Sequence, residues 1–382
     1  RLGQPRKNGL TVHKNSGVGV RGSRLVPLDA GRNLLLKLHE PVEHALRARG
    51  WEPLLVVREA DPSLPLLEDE SLPSLPVDLS GLPRRPDLNL IRFSWKLGVG
   101  MRLLSRALTS FRPDLVLGMG GYLTFPLAYA AWRRGVPRAV HESNAVLGLA
   151  NKAASALGCT VLWGLPPGGT GTVVGTPVRP ALWTRRDPSE CRRALGLDPA
   201  RATLLAFGGS QGAKGINTAL AAALKTLDLP ALQVLLLAGK GKADEVREAY
   251  RGVPCKTEVR EYLEDMGAAY GAADLVLCRA GAGTLAELCV QRKPALLVPY
   301  PHAAADHQDV NARVFENAGA AMRLREAELG SRLGSVLSEL LKSPQADAKR
   351  TAMAEAYGKM PLPTAEKTTE ILIQRLETLA QR

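Results

Sequence analysis

Residues 275–298 read LVLCRAGAGTLAELCVQRKPALLV, and this stretch decides the fold class that the sequence predicts. The apolar run Leu275–Leu277 predicts a buried strand, and the small residues at 280–283 predict a turn after it. Apolar side chains at helical spacing follow over 284–291, until the next Lys-Pro pair ends the helix. The sequence therefore predicts a strand that runs through a glycine turn into a helix.

A turn of this kind offers a site for an anion. Its free backbone N–H groups and the positive end of the helix dipole point to the same spot, where phosphate is a common ligand. Glu287 lies one turn into the predicted helix, where a carboxylate can accept hydrogen bonds from sugar hydroxyls. The same turn also occurs in βα units whose glycines only permit tight packing, so the turn alone leaves both interpretations open.

The strand–turn–helix pattern occurs in both halves of the chain. In the first half, a strand at 114–117 and a glycine turn at 118–122 precede a helix at 125–134. In the second half, a strand at 203–207 leads through another glycine turn into a helix at 213–227. Such alternation predicts parallel sheets that bind ligands beyond the carboxyl ends of their strands. We therefore predict an α/β protein of two Rossmann-like, doubly wound domains that face one another across a cleft.

The domain limits follow from a change of composition. Segment 166–179 is rich in Gly, Pro and Thr and is typical of a connection, so we place the first domain at 1–178 and the second at 179–360. Residues 361–382 predict a helix that crosses back to pack on the first domain. Residues 1–35 are atypical, because their one glycine-rich match, SGVGVRG, lacks a convincing strand before it or helix after it.

The charge of the chain predicts a polyanionic partner. Lys and Arg number 50 against 37 Asp and Glu, which gives a net charge of +13 and suits nucleic acid, an acidic membrane face or phosphorylated substrates. Nucleic acid is disfavoured, because aromatic residues are only 4% of the chain and do not interleave with the basic ones. An NAD oxidoreductase is disfavoured too, because SGVGVRG lacks the acidic residue that would follow it.

Cysteine usage and hydropathy further narrow the class of protein to which the chain can belong. The five cysteines are scattered, with no CxxC pair and no histidine at ligand spacing, which predicts reduced thiols and no metal site. Apolar runs long enough to span a bilayer are lacking, and the basic N-terminus has no apolar segment of a secretory signal behind it. We expect a soluble chain that needs no metal and no cofactor.

One basic helix has two interpretations. Residues 89–108 interleave apolar side chains with basic ones, and Arg92, Trp95, Lys96 and Arg102 are the candidate membrane contacts. Such a helix either lies at an anionic membrane surface or packs its apolar face on the core and exposes a basic side. The second case is the commoner one.

Seven motifs follow one another along the chain. They are GMGGY (118–122), HESN (141–144), VVGTPVR (173–179), GGSQGAKGIN (208–217), EYLEDM (261–266), CRAGAGTLAE (278–287) and DHQDVNA (306–312). This series resembles the MurG family, the N-acetylglucosaminyltransferases that complete the lipid-linked peptidoglycan precursor. The resemblance covers roughly residues 110–325 closely and the remainder loosely.

The resemblance implies a glycosyltransferase of the GT-B fold. The expected activity is that of an inverting hexosyltransferase, which moves N-acetylglucosamine from UDP-N-acetylglucosamine to the muramyl O4 of undecaprenyl-diphosphate-muramyl-pentapeptide. Such an enzyme serves cell wall synthesis, cell shape and division. It is expected at the cytoplasmic face of the bacterial plasma membrane, held peripherally against anionic lipid. The first domain would take the lipid acceptor and the second would take the donor.

The resemblance also implies a set of donor contacts. Leu263 is expected beside the uracil, residues 282–287 are expected on the phosphates and ribose, and Gln308 is expected on the sugar. In full, the implied donor-binding residues are Asn144, Arg179, Ser210, Leu263, Ala282, Gly283, Thr284, Leu285, Ala286, Glu287 and Gln308. As isolated residues, Arg179 also suits a salt bridge at the hinge, and the amides of Asn144 and Gln308 also suit turns or caps. His141, at a predicted strand end, favours a structural role over that of a general base.

The N-terminus departs from the family pattern. The glycine-rich loop GGTGGH, whose histidine is a usual candidate for the base, should fall near residues 30–35, where this chain has AGRNLL. His13, His39 and His44 are out of register with that loop, so no catalytic residue is assigned. Either this end has diverged or the reading frame shifts upstream of Gly50. Two alternatives stay open: another GT-B transferase that glycosylates a different lipid, and a donor-binding protein with impaired catalysis.

Overall fold

The computed structural model describes residues 24–28, 42, 45–59, 73–79, 88–168, 170–209 and 211–381. Two parallel sheets with helices on their faces make up this part of the chain. The α/β class and the GT-B architecture of two parallel-sheet domains are thereby confirmed. The expected glycine loop near residues 30–35 and His13, His39 and His44 lie outside the described residues.

The first sheet has eight strands, and all its described pairs are parallel. They are β1 (Arg24–Leu28), β2 (Glu52–Pro53), β3 (Leu55–Arg58), β4 (Ser74–Val77), β5 (Leu115–Gly118), β6 (Arg138–Glu142), β7 (Thr160–Trp163) and β8 (Thr172–Val173). Their spatial order is β4-β3-β1-β5-β6-β7-β8, with β2 paired to β1. The order reverses between β1 and β5, so the carboxyl ends of these two strands flank a crevice.

The second sheet has six parallel strands in the order β11-β10-β9-β12-β13-β14. They are β9 (Ala202–Phe207), β10 (Leu232–Leu237), β11 (Lys256–Arg260), β12 (Leu275–Cys278), β13 (Ala295–Leu297) and β14 (Ala321–Arg323). Alternate side chains of β9 enter the two cores on opposite faces of the sheet: Leu205 and Phe207 enter one, and Leu204 and Ala206 enter the other. Burial on both faces explains why these strands read as continuous apolar runs rather than alternating ones.

Residues 45–48 are helical, and twelve further α-helices lie in the described part of the chain. They are α1 (Leu88–Phe111), α2 (Thr124–Trp132), α3 (Leu149–Ala156), α4 (Pro188–Ala194), α5 (Lys214–Thr226), α6 (Ala243–Ala249), α7 (Met266–Ala272), α8 (Ala282–Gln291), α9 (His307–Asn317), α10 (Leu329–Leu341), α11 (Ala346–Ala356) and α12 (Ala365–Ala380). Sequence reasoning missed α4, α6 and α7, which have seven residues each and are too short to show an apolar period. It also missed the eleven-residue helix α9 and the three-residue strand β14.

The helix of the opening stretch begins two residues earlier than predicted. The sequence assigned residues 282 and 283 to the turn, whereas α8 begins at Ala282 with Gly281 as its N-cap. The reason is that Ala and Gly at the first two positions show no apolar spacing from which a start could be read. The first turn of the helix therefore contains the backbone that sequence reasoning placed in a loop.

The chain crosses between the two sheets twice. Helix α12 packs Leu372, Ile373 and Leu376 into the core of the first sheet, beside Leu115 of β5. Near this crossing Gly175 adopts a φ of +78°, and a Cβ there would lie 2.9 Å from the Cγ of Pro363. Only glycine fits this conformation and this contact. The limits 178/179 and 360/361 between the domains remain predictions.

Candidate functional site

The second sheet reverses its strand order between β9 and β12, which lie side by side. Phe207, the last residue of β9, is in register with Cys278, the last residue of β12. The glycine-rich turns at 208–213 and 279–281 therefore leave the same edge of the sheet next to one another. A crevice at such a switch point is where open α/β sheets bind ligands.

The N-terminus of α8 lies at this crevice without a side-chain cap. Gly281 is its N-cap, with φ −71° and ψ 139°, and accepts the first intrahelical hydrogen bond, from the N–H of Leu285. The N–H groups of Ala282, Gly283 and Thr284 precede that bond, so they have no acceptor within the helix. These three residues are half-buried. The uncapped terminus lies where the sequence predicted an anion site, and the binding of an anion there stays a prediction.

The other residues predicted at this helix face inward. Leu285 and Ala286 are buried in the core of the second sheet, so their side chains do not reach the crevice. Glu287 is 3% exposed, and its Oε2 accepts a hydrogen bond from the Oη of Tyr270 at 2.8 Å. Burial raises the pKa of Tyr270 most, and the charge of the Glu287 carboxylate raises it further. The phenol therefore keeps its proton and orients Glu287. Tyr270 lies in α7, and no sequence signal pointed to it.

The turn after β9 is built on close backbone approach. Gly212 has a φ of +67°, and a Cβ there would lie 2.0 Å from the carbonyl oxygen of Ala238, at the end of β10. Lys242 Nζ donates to the carbonyl oxygen of Gln211 at 2.6 Å and ties the two turns together. The predicted contact Ser210 lies in this turn, outside the described residues.

Arg279, the residue after β12, braces the crevice. Its Nη1 lies 2.6 Å from Glu326 Oε2, and donates to the carbonyl oxygens of Val298 at 3.3 Å and Pro299 at 3.2 Å. Its guanidinium lies 5.4 Å from the ring centroid of Tyr300. Arg279 belongs to the motif CRAGAGTLAE, but its sequence position alone indicated no role for it. The structure makes it the link between the ends of β12 and β13.

The HESN segment at the end of β6 is organised by Glu142. This buried carboxylate accepts four hydrogen bonds. Its Oε1 accepts from the N–H of Asn144 at 3.0 Å and from Asn144 Nδ2 at 2.9 Å. Its Oε2 accepts from the N–H of Gly148 and from Asn151 Nδ2, both at 2.9 Å. A carboxylate held in this way fixes the loop that presents Asn144.

His141 is a structural residue of the same strand. Its ring is fully buried, and Nε2 lies 2.8 Å from the carbonyl oxygen of Gly175, to which it donates. Burial lowers the pKa of His141 below its ordinary value of 6.5, so the ring is neutral at neutral pH. A ring enclosed in this way does not face the crevice, in agreement with the structural role that the sequence favoured.

The HESN segment meets the second sheet through Asn311 of α9. Asn311 Nδ2 donates to Asn144 Oδ1 at 2.9 Å and to the carbonyl oxygen of Ala280 at 3.2 Å. Its Oδ1 accepts from the N–H of Ala145 at 2.9 Å. The structure therefore brings two of the predicted segments, HESN and the turn before α8, to one junction. Asn311 is part of the DHQDVNA motif, which was the available signal for it.

Three further predicted donor contacts lie in separate segments: Arg179 in the connection between the sheets, Leu263 after β11 and Gln308 in α9. Arg179 is half-buried before a short 3₁₀ helix at Pro180–Leu182, and within the described residues it makes no ion pair and its buried Nε has no partner. The alternative of a hinge salt bridge is thus not seen in that part of the chain. Leu263 is half-buried against the core, and Gln308 Oε1 accepts from the N–H of Tyr300 at 3.0 Å.

Helix α1 packs one face on the core of the first domain and exposes another, and its contact with a membrane stays a prediction. Leu104 and Leu108 are buried in the first domain, while Ile91, Trp95 and Val99 form an exposed apolar row one helical turn apart, with Trp95 72% exposed. The basic candidates flank this row: Arg92 and Arg102 are exposed, and Lys96 is half-buried with its Nζ 2.8 Å from Asp78 Oδ1. Within the residues described, no helix is both long and apolar enough to cross a bilayer. The same residues contain no group of three or more His, Cys, Asp or Glu side chains arranged to hold a metal ion.

Family models match both halves of the chain. The glycosyltransferase family 28 N-terminal domain matches residues 42–161, and the family 28 C-terminal domain matches residues 203–370. Curated relatives match over most of their length. One is the UDP-N-acetylglucosamine–N-acetylmuramyl-(pentapeptide) pyrophosphoryl-undecaprenol N-acetylglucosamine transferase of Elusimicrobium minutum, 34% identical over 87% of this chain and 93% of that protein. The enzyme of the same name from Acidithiobacillus ferrooxidans is 38% identical over 80% of this chain and 85% of that protein.

Solved structures agree with these relatives. The crystal structure of Acinetobacter baumannii MurG superposes with a TM-score of 0.76 at 26% identity, covering 93% of this chain and 99% of that one. The kitacinnamycin glycosyltransferase has a TM-score of 0.66 at 17% identity, over 94% of this chain and 100% of that one. The second likeness concerns the fold alone.

Proposed function

This chain belongs to the MurG family within glycosyltransferase family 28, and from that premise we propose how its crevice transfers a sugar. The reaction moves N-acetylglucosamine from UDP-N-acetylglucosamine to the O4 hydroxyl of the muramyl sugar in undecaprenyl-diphosphate-muramyl-pentapeptide. O4 attacks the anomeric carbon, the bond from that carbon to the UDP oxygen breaks, O4 loses its proton, and the anomeric configuration inverts. The product is the lipid-linked disaccharide from which peptidoglycan is built.

The observation that carries this proposal is the uncapped N-terminus of α8 at the switch point of the second sheet. A donor diphosphate needs several N–H groups, and those of Ala282, Gly283 and Thr284 have no acceptor in the helix. Each charge-assisted hydrogen bond is worth roughly 1.5–3 kcal/mol. The same groups stabilise the negative charge that develops on UDP as it leaves. The turn after β9, with Ser210, supplies the second wall of the phosphate site.

The remaining donor contacts are arranged around that terminus. Glu287, oriented by Tyr270, accepts the ribose hydroxyls, and Leu263 packs beside the uracil. Gln308 binds hydroxyls of the transferred sugar. Asn144 faces this sugar from the HESN side of the cleft.

Arg179 completes the site from the connection between the domains. Arg179 is half-buried, and its Nε has no hydrogen-bond partner among the described residues. The guanidinium can therefore donate to an oxygen of the diphosphate or of the sugar. For Leu285 and Ala286, whose side chains are buried in the core, only the backbone takes part in donor binding.

Helix α1 is the membrane-contacting element in this proposal. The apolar row of Ile91, Trp95 and Val99 enters the interface of an anionic bilayer while Arg92 and Arg102 meet lipid phosphates. The enzyme is thus held peripherally on the cytoplasmic face, where the lipid acceptor presents its sugar. The general base that takes the O4 proton stays unassigned.

Radiolabelled UDP-N-acetylglucosamine tests the proposal with three acceptors: the lipid-linked muramyl-pentapeptide, an unrelated polyprenyl-diphosphate sugar, and none. We expect label to pass only to the first, giving a lipid-linked disaccharide. Transfer to the unrelated lipid instead would identify a different lipid glycosyltransferase. Binding of the donor without transfer to any acceptor would identify a donor-binding protein and refute the catalytic proposal.

A further inference from the structure

A single buried side chain joins the two halves of the site. Asn311 has 0% exposure and lies in the first turns of α9. Its Oδ1 accepts from the N–H of Ala145, and its Nδ2 donates to Asn144 Oδ1 and to the carbonyl oxygen of Ala280. Asn144 and Ala145 lie just after β6 of the first sheet, whereas Ala280 lies just after β12 of the second.

Each partner of Asn311 leads directly to a functional segment. Ala280 precedes Gly281, the N-cap of α8, so its position sets where the free N–H groups of that helix point. Glu142 holds Asn144 from the other side, because its Oε1 accepts hydrogen bonds from both the backbone N–H and the Nδ2 of Asn144. The chain of contacts therefore runs without a break from the Glu142 carboxylate, through Asn144 and Asn311, to the terminus proposed to hold the donor diphosphate.

We propose that Asn311 is a positioning residue for sugar transfer, which sets the separation between the HESN loop and the N-terminus of α8. The inference rests on the proposed function and deepens it. Asn311 does not need to touch the donor: α8 holds the diphosphate, and Asn311 holds α8 in register with the opposite wall of the cleft. Loss of this residue leaves both half-sites folded and lets their separation vary, so it impairs transfer more than donor binding.

The chemistry of the junction requires an amide. One oxygen faces an N–H, and one nitrogen faces two oxygens, so only the carboxamide in this orientation satisfies all three partners. Asn311→Asp keeps the size but places an oxygen against the oxygens of Asn144 and Ala280. Asn311→Leu removes both functions. For each variant we expect kcat to fall at least about tenfold, with the donor KM within about threefold of wild type.

Gln233 provides a matched control. It is an equally buried amide, in β10, whose Oε1 accepts from the N–H of Asp198 at 2.9 Å and whose Nε2 donates to Thr203 Oγ1 at 3.0 Å. These partners lie where β9 and β10 begin, at the edge of the sheet opposite the crevice. Gln233→Leu should therefore lower the unfolding temperature as much as Asn311→Leu does, while kcat stays at the wild-type value.

The experiment measures kcat and donor KM of the full chain with lipid-linked muramyl-pentapeptide, together with hydrogen exchange at the Ala145 amide. We expect both Asn311 variants to lose kcat, and Asn311→Leu to speed exchange at Ala145. We also expect Asn311→Ala combined with Asn144→Ala to lose less than the product of the two single losses. An active wild type with unchanged kcat in the Asn311 variants, or equal loss in Gln233→Leu, overturns the inference alone. A wild type that transfers nothing overturns the proposed function as well.

Discussion

The hydrogen bond between Tyr270 and Glu287 allows a sharp test of how the donor is held. Glu287→Ala removes the carboxylate proposed to accept the ribose hydroxyls. Tyr270→Phe leaves the carboxylate in place and removes only the Oη that donates to it at 2.8 Å. Both residues are buried, so each change leaves the exposed surface outside the crevice unaltered. The pair therefore separates loss of the ligand group from loss of its orientation.

The size of each effect follows from the bond that is lost. A hydrogen bond to a charged group contributes roughly 1.5–3 kcal/mol, which corresponds to about 10- to 150-fold in affinity. Glu287→Ala should raise the donor KM by about that factor with little change in kcat, since ribose contacts persist from ground state to transition state. Tyr270→Phe should raise the donor KM less, by about three- to tenfold, because the carboxylate remains but is less fixed.

Initial-rate kinetics with varied UDP-N-acetylglucosamine measure both parameters, and calorimetry measures donor affinity without the acceptor. Tyr250→Phe is the control: the Oη of Tyr250 is buried but has no partner within the described residues, so its removal should change neither KM nor stability for the worse. A donor KM that is unchanged in Glu287→Ala would refute the ribose assignment. Equal effects of the two Tyr→Phe changes would show that Glu287 does not depend on Tyr270.

Three further predictions concern the fold and the membrane. Burial lowers the pKa of His141 below 6.5, so on acidification the unfolded chain binds a proton at this histidine before the folded chain does. The free energy of unfolding should therefore fall as pH drops below about 6.5. His141→Gln should flatten that pH dependence in urea melts at several pH values. Gly212→Ala should destabilise the fold by more than about 3 kcal/mol, because φ is +67° and the new Cβ would lie 2.0 Å from a carbonyl oxygen. Gly196→Ala should cost only about 1 kcal/mol, because φ is +74° but the space around the new Cβ is open. Equal shifts of the unfolding temperature would contradict the packing argument. Arg92→Glu with Trp95→Glu should abolish the salt-sensitive sedimentation of the chain with phosphatidylglycerol vesicles, and unchanged partitioning would remove α1 as the membrane contact.

The sequence predicted the second sheet well because both its faces are buried. In an α/β chain, short continuous apolar runs such as 203–207 and 275–277 predict buried strands. The ends of each predicted strand lie within one residue of those observed. The glycine turns that follow them were likewise readable, because positive φ and close backbone approach leave few other residues possible. Right-handed crossovers narrow the possible strand orders, but the order β11-β10-β9-β12-β13-β14 and its register come from the structure.

What sequence could not give was the set of side chains that hold the ligand groups in place. Tyr270 lies in a seven-residue helix of small residues, and its contact with Glu287 joins positions 17 apart. Asn311 meets Asn144 across 167 residues, and its role depends on how the two domains meet. Arg279 reaches three strand and loop ends through a flexible side chain. Each of these contacts is a product of tertiary packing, so even where a residue stands in a motif, its partner could not be read from the sequence.

A crystal structure of the chain with bound UDP-N-acetylglucosamine would show where the donor diphosphate lies. We expect the donor diphosphate oxygens within hydrogen-bond distance of the N–H groups of Ala282, Gly283 and Thr284, with the sugar between this terminus and Asn144. A diphosphate bound elsewhere on the second sheet, with the N-terminus of α8 left to solvent, would contradict the account.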